Sequence, residues 1–204
     1  MLPVLATNAN RKINRCRFFE LANVHKPSKN PECIPDQRQV LCLGVYGQGE
    51  DFYTLKGAVE TLCEGLCVEQ VSFAAGGESY YHPGRKAVLL IGGKEAGQLG
   101  EVHPAVCGAY DIPGRAYLAE IDVETLFAGR GLVKKFKPLP RYPAVERDLA
   151  VIVSEDTQAG DVAAAIERAA GKMFESVQLF DVYAGEHIEK GYKSLAYAIR
   201  LRAE

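Results

Sequence analysis

The chain has almost no net charge: 24 Lys and Arg stand against 26 Asp and Glu over 204 residues, leaving −2 at pH 7. That balance excludes a global attraction to nucleic acid, so any RNA binding has to rest on a local patch. Long apolar runs are missing as well. None approaches the roughly 20 residues needed to span a bilayer. The opening MLPVLATNANRK has no basic region leading into an apolar core, so it does not read as a secretory signal. No Gly-Lys-Ser/Thr follows the glycine loops GVYGQGEDF and AAGGES, and no Gly-x-Gly-x-x-Gly opens a helix, which excludes the common phosphate loops. A Gly-x-Ser-x-Gly elbow is absent, and no pair of carboxylates stands out as an acid/base couple. The residues alone offer no active site.

What is present reads as a soluble globular protein. Apolar residues make up 48% of the chain, enough for a substantial core. The six cysteines, Cys16, Cys33, Cys42, Cys63, Cys67 and Cys107, are irregularly spaced and several lie in apolar runs. They read as reduced core thiols in a reducing, cytoplasmic compartment rather than as a disulfide framework. Cys63 and Cys67 are spaced to share a helix face, yet no second ligand pair lies nearby, so no metal is expected. His82 and His103 each precede a proline. The proline fixes a turn, and the histidine satisfies neighbouring backbone groups rather than acting as a base.

Two units follow from the pattern. Within residues 1–131, CRFFELANV, VLCLGVYG, VEQVSFAA, KAVLLIGG, AGQLGEVH and AYLAEIDV read as strands. DFYTLKGAVETLCEGL reads as a helix, with Leu55, Val59, Leu62 and Leu66 at helical spacing and Thr54 as N-cap or first-turn residue. Gly92 and Gly93 supply positive φ for a hairpin turn. Many strands and few helices predict a mainly antiparallel sheet. Residues 137–204 follow the order β-α-β-β: RDLAVIV, then TQAGDVAAAIERAAG with Thr157 as candidate N-cap and Gly171 as C-cap, then ESVQLFDVY and KSLAYAIRL. Val162, Ile166 and Ala169 or Ala170 form the helix's expected buried stripe. Pro138, Pro140 and Pro143 stiffen the connector and disfavour helix just ahead of the first strand. The fold class is therefore α+β.

Lys134, Lys135, Lys137, Arg141 and Arg147 lie against one acid, Glu146, between Leu132 and Arg147. This strip is a candidate for phosphate contact, although basic linkers also occur simply as solvated chain. Tyr142, Phe180, Tyr183, Tyr192 and Tyr197 add rings, of which one or two are expected to be open for stacking on unpaired bases. The candidate RNA-binding residues are Lys137, Arg141, Tyr142, Arg147, Phe180 and Tyr183. Arg147 with Asp148 either closes a turn or orients an RNA-facing edge. Alternation along LFDVYAG places Leu179, Asp181 and Tyr183 on one face and Phe180 and Val182 on the other.

RYPAVERDLAVIV and VQLFDVYAGEHIEKGYKSLAYAIRLRAE resemble the ferredoxin-fold anticodon-binding domain of bacterial phenylalanyl-tRNA synthetase beta chains. NANRKINRCRFFELANV, EDFYTLKGAVETL, YYHPGRKA, GQLGEVHPAV and LAEIDVETL resemble the same family's catalytic-like core, which has a class II synthetase fold without catalytic motifs. The resemblance covers nearly the whole chain in order. It implies a tRNA-binding and scaffolding fragment of the beta subunit, non-catalytic in itself and without cofactor. The alpha subunit would use ATP and magnesium to attach phenylalanine to tRNA(Phe) within an α2β2 heterotetramer. It also implies that the second domain lacks its last helix and strand, which would leave RDLAVIV as a bare sheet edge. The competing reading is a freestanding scaffold or regulatory protein that binds protein or a small molecule with the same folds.

Overall fold

The structure is a computed structural model and describes residues 1–27, 35–131 and 139–203, with the Lys26 side chain excepted. Contacts divide the chain into two units, Met1–Lys135 and Phe136–Glu204.

The first unit runs α1 (Leu2–Asn10), β1 (Arg15–Lys26), β2 (Asp36–Gly47), α2 (Phe52–Gly65), β3 (Val71–Ala75), β4 (Tyr81–Ile91), β5 (Lys94–Val102), α3 (Pro104–Ala109), β6 (Ala116–Asp122) and α4 (Val123–Ala128). The strands form one sheet in the order β1-β2-β6-β5-β4-β3, and every pair is antiparallel. The six expected strands are all present. The short helices α1, α3 and α4 were not anticipated, because six to nine residues carry too few turns to show a clear apolar period.

Local chemistry sets the elements. Asp51 caps α2, its carboxylate accepting from the Thr54 backbone N–H at 2.7 Å and the Thr54 hydroxyl at 2.8 Å. Thr54 is thus the first-turn residue and Asp51 the cap. Leu55, Val59 and Cys63 are buried at i, i+4 and i+8, with Leu62 and Leu66 packed partly beside them. The helix stops at Gly65, so Cys67 lies beyond it at φ 56° and does not share a helix face with Cys63. Gly92 and Gly93, at φ 57° and 77°, turn β4 into β5 where a side chain at φ > 0 would be strained.

Alternation gives the sheet two buried faces. Against α2 and α4 lie Val45, Leu89, Leu99, Tyr117 and Ile121. Against α1 and α3 lie Cys16, Tyr81, Val102, Ala116 and Leu118, together with Leu5 and Ile112. Leu89, Leu99 and Ile121 are each no more than 1% exposed, and such burial stabilises by about 1.5–3 kcal/mol per side chain. Cys16, Cys63 and Cys107 are buried free thiols. Cys33 lies outside the described residues. The His-Pro pairs work as local caps: His82 Nδ1 accepts from the Gly84 N–H and His103 Nδ1 from the Ala105 N–H, each at 3.1 Å.

The second unit runs β7 (Val145–Ser154), α5 (Ala159–Ala170), a 3-10 turn (Gly171–Met173), β8 (Phe174–Tyr183) and β9 (Tyr192–Leu201). Its sheet order is β7-β9-β8, antiparallel throughout, which leaves β7 at an edge as expected. The α5 helix begins after Gln158, with no side-chain cap, so Thr157 is not the cap. Thr157 instead donates its backbone N–H to Ser154 O in the preceding turn. Val162, Ile166 and Ala170 are only half-buried, and Ala169 is exposed.

Candidate nucleic-acid interface

In the second unit, Tyr197 tells the two sheet faces apart. It is 1% exposed and donates its hydroxyl to Ala159 O of α5 at 2.8 Å, so its face of the sheet is the helix face. Burial pushes its phenol pKa up. Register places Leu149 and Leu179 beside Tyr197, Val151 and Val182 beside Leu195, and Arg147 and Val177 beside Ile199 on that same face. The opposite face carries no helix among the described residues.

The open face is built from small residues on the central strand. Ser194, Ala196 and Ala198 of β9 form a shallow trough between neighbours that, Ala150 apart, are longer. Ile152 and Tyr183 flank Ser194, Ala150 and Asp181 flank Ala196, and Asp148 and Gln178 flank Ala198. Ile152 is 66% exposed and Tyr183 43% exposed. The Tyr183 ring lies against Gly185, where an added Cβ would sit 2.3 Å from the phenolic oxygen, so glycine there lets the ring fold inward.

The simple alternation expected along LFDVYAG fails at this point. The register shifts between Leu179 and Asp181, so Phe180 is an extra, bulged residue. Leu179 and Val182 therefore share the helix face, while Asp181 and Tyr183 share the open one. A second shift between Phe174 and Ser176 frees Glu175 in the same way. Glu175 pairs with Arg202 at 2.6 Å and Arg200 at 3.6 Å, and the Arg202 hydrogen bonds hold its carboxyl below the usual range. Arg202 also donates to Tyr142 O at 2.6 Å, which ties the segment ahead of β7 to the end of β9.

The candidate residues thus fall in three places. Phe180 and Tyr183 are exposed on β8, at the bulge and on the open face. Arg147 lies on the helix face and donates to Glu146 O at 3.0 Å rather than pairing with Asp148. Arg141 and Tyr142 precede β7, both exposed. Lys137 lies outside the described residues, as do Lys134 and Lys135. Ile152, Gln178, Ser194, Ala196 and Ala198 were missed, although the small residues at every second position of KSLAYAIRL carried the signal. The open face bears Asp148 and Asp181 and so repels phosphates. It suits base faces and base amino groups, with stacking on Tyr183 and Ile152 and donation to the carboxylates. Among the described residues no group of three or more His, Cys, Asp or Glu is placed to hold a metal ion.

Comparison with known proteins agrees with both units. Residues 1–123 match the family described as "Phenylalanyl tRNA synthetase beta chain CLM domain", and residues 140–204 match "Ferredoxin-fold anticodon binding domain". The phenylalanine–tRNA ligase beta subunit of Clostridium acetobutylicum is 41% identical over 100% of this chain and 26% of its own length. That of Clostridium tetani is 39% identical over 99% of this chain and 26% of its own. The chain therefore spans about a quarter of the length of these curated relatives. Among solved structures, pyrrolysyl-tRNA synthetase from Desulfitobacterium hafniense aligns with a TM-score of 0.51 at 12% identity, over 61% of this chain and 45% of that one, a likeness of fold alone. With the antiparallel sheet and the β-α-β-β unit in the expected order, the chain belongs to the phenylalanyl-tRNA synthetase beta chain family.

Proposed function

We propose that this chain binds tRNA(Phe) at its anticodon region and helps scaffold a phenylalanine-tRNA ligase, without carrying out chemistry itself. On this reading residues 1–131 form the catalytic-like core and residues 137–204 the anticodon-binding domain. The alpha subunit of an α2β2 heterotetramer supplies the ATP- and magnesium-dependent step in the cytoplasm. The observation that carries the reading is the open face of β7-β9-β8, a trough of Ser194, Ala196 and Ala198 beside Tyr183, in a segment that matches an anticodon-binding family. Splayed single-stranded bases fit such a surface, because loops rather than duplexes expose readable RNA edges. Phe180 and Tyr183 provide stacking, while Arg141 and Tyr142 approach the backbone of the loop. Arg147 is on the helix face and takes no part in the trough.

The test is affinity for tRNA(Phe) and for an anticodon-altered version, measured across a salt series. Preference for the native anticodon, with affinity falling as salt rises, supports the reading. Equal affinity for both, in a chain shown to be folded, would favour the freestanding scaffold instead.

A further inference from the structure

A chain with a net charge of −2 needs a local cationic surface to hold RNA. The first unit carries one that the reading above does not use, at the end of the sheet where β1 begins and β5 ends. Two buried carboxylates organise it. The Glu50 side chain is fully buried, and Arg15 and Arg17 both reach its Oε1 through Nε, Arg17 at 2.8 Å. Glu101, also buried, holds Arg85 at 2.8 Å and Arg115 at 3.8 Å by the same Nε approach. Arg85 Nη2 lies 3.0 Å from His82 Nε2 as well. Burial works to raise the Glu50 pKa, but the bonds from Arg17 and Arg15 outweigh it and leave the carboxyl low, so it stays ionised beneath its arginines. The carboxylates are thus underneath, while the four arginine side chains, each about half exposed or more, meet solvent.

The two clusters share one surface. Arg17, Val45, Tyr117 and Glu101 lie in one row across β1, β2, β6 and β5, on the same face of the sheet. Three strand spacings separate Arg17 from Glu101, roughly 14 Å. Glu50 and Arg115, one from each cluster, line the same cleft, where Lys12 and Asp51 offset each other. Aromatic rings stand beside the cations. β1 pairs with β2 without a register shift, so Arg15, Arg17 and Phe19 project to one face. Phe19 is 76% exposed. Tyr53, in the first turn of α2 and three residues after Glu50, is equally exposed, with its ring edge-on to Phe52.

We propose that this surface binds single-stranded RNA without regard to sequence, taking phosphates on Arg15, Arg17, Arg85 and Arg115 and bases on Phe19 and Tyr53. A guanidinium is planar and always charged, and phosphate accepts it in bidentate form. Each Nε is already tied to a buried carboxylate, so these side chains lose less freedom when a phosphate arrives. Every base has a π-face, so stacking on exposed rings tolerates any sequence. An acidic protein segment would engage the arginines and leave the rings unused, which makes RNA the better match. The surface belongs to a different unit from the trough of β7-β9-β8 and does not depend on it.

Fluorescence anisotropy of the full chain with a labelled uridylate dodecamer, across a salt series, tests this. Affinity should fall as salt rises. The double variant R15Q/R115Q leaves each buried glutamate one arginine at 2.8 Å, so the chain should stay folded, with the melting temperature as the check. It should weaken the dodecamer about tenfold and flatten the salt slope by about 1.4, the share of two phosphate contacts on a single strand. F19A/Y53A removes only exposed rings and should weaken binding about tenfold with the slope unchanged. Full affinity in both folded variants overturns the proposal, as does equal binding of an RNA duplex of the same length, whose bases cannot reach the rings. Binding of a polyglutamate peptide that depends on Arg15 and Arg115, with no effect of F19A/Y53A on the dodecamer, assigns the surface to acidic protein and overturns it too. The trough is read separately. Loss of dodecamer binding in Y183A alone, with none in the first-unit variants, removes this surface and leaves the anticodon reading intact. Dodecamer binding that needs Arg15, Arg115, Phe19 and Tyr53, in a chain indifferent to the anticodon of tRNA(Phe), supports this surface and removes the anticodon reading.

Discussion

Asp51 illustrates how much one side chain sets. Its carboxylate accepts from the Thr54 backbone N–H and hydroxyl, and these bonds hold its pKa below the ordinary value. D51A should cost about 1 kcal/mol, read as a lower midpoint in urea unfolding of the first unit. The pH dependence follows from the same bonds. A carboxyl lowered in the folded state adds stability that is full above its unfolded pKa, about 3.9 for Asp. That stability is lost as pH falls through the folded value. Wild-type stability should therefore decline below about pH 4, and D51A should decline less steeply. An identical acid profile for both would remove Asp51 from the account. At the other end of the chain, Y183A should weaken tRNA binding by about 1–3 kcal/mol, the usual worth of one stacked base. G185A should act on the same ring indirectly, since the added methyl displaces it. Sequence legibility at this scale depended on reach. His82 and His103 were readable because each bonds only two residues away. Asp51 was passed over for Thr54, because a carboxylate and a hydroxyl three residues apart both suit a helix start and only the geometry ranks them.

Among the elements, the first sheet was largely legible and β8 was not. The β4–β5 hairpin is written into two consecutive glycines that follow an apolar run. α2 is written into apolar residues at helical spacing. β8 contains two bulges, and each adds one residue that reverses the parity of everything after it. Its apolar positions Phe174, Val177, Leu179 and Val182 are spaced three, two and three, which matches no regular strand. The correct faces emerge only through the partners on β9. The edge strand β7 makes a further expectation concrete. Residues of an antiparallel edge strand bond inward and outward in turn. Within Leu149–Val153, every second amide should therefore exchange with solvent quickly while its neighbours are protected. Uniform protection in a chain shown to be monomeric by sedimentation would contradict an open edge.

At the level of the whole molecule, the two units have unequal interiors. The first has a sheet with apolar packing on both sides. Among its described residues the second has only Leu195 and Tyr197 fully buried, and its helix α5 has no buried residue. Calorimetry should resolve two transitions, the cooler one belonging to residues 139–203. L195A removes one of the two buried anchors and should lower that transition by 2–5 kcal/mol, leaving the hotter one in place. The order of units could be read from composition and spacing, because the proline-rich connector and the change of pattern near residue 137 are visible in one dimension. The uneven packing could not, since it depends on how far one twelve-residue helix spreads over three strands. That thin interior makes warmth a selective inhibitor. A preparation heated between the two transitions would still give the circular dichroism of a six-stranded protein and pass through a sizing column as intact chain, and on the proposed function it would hold no anticodon.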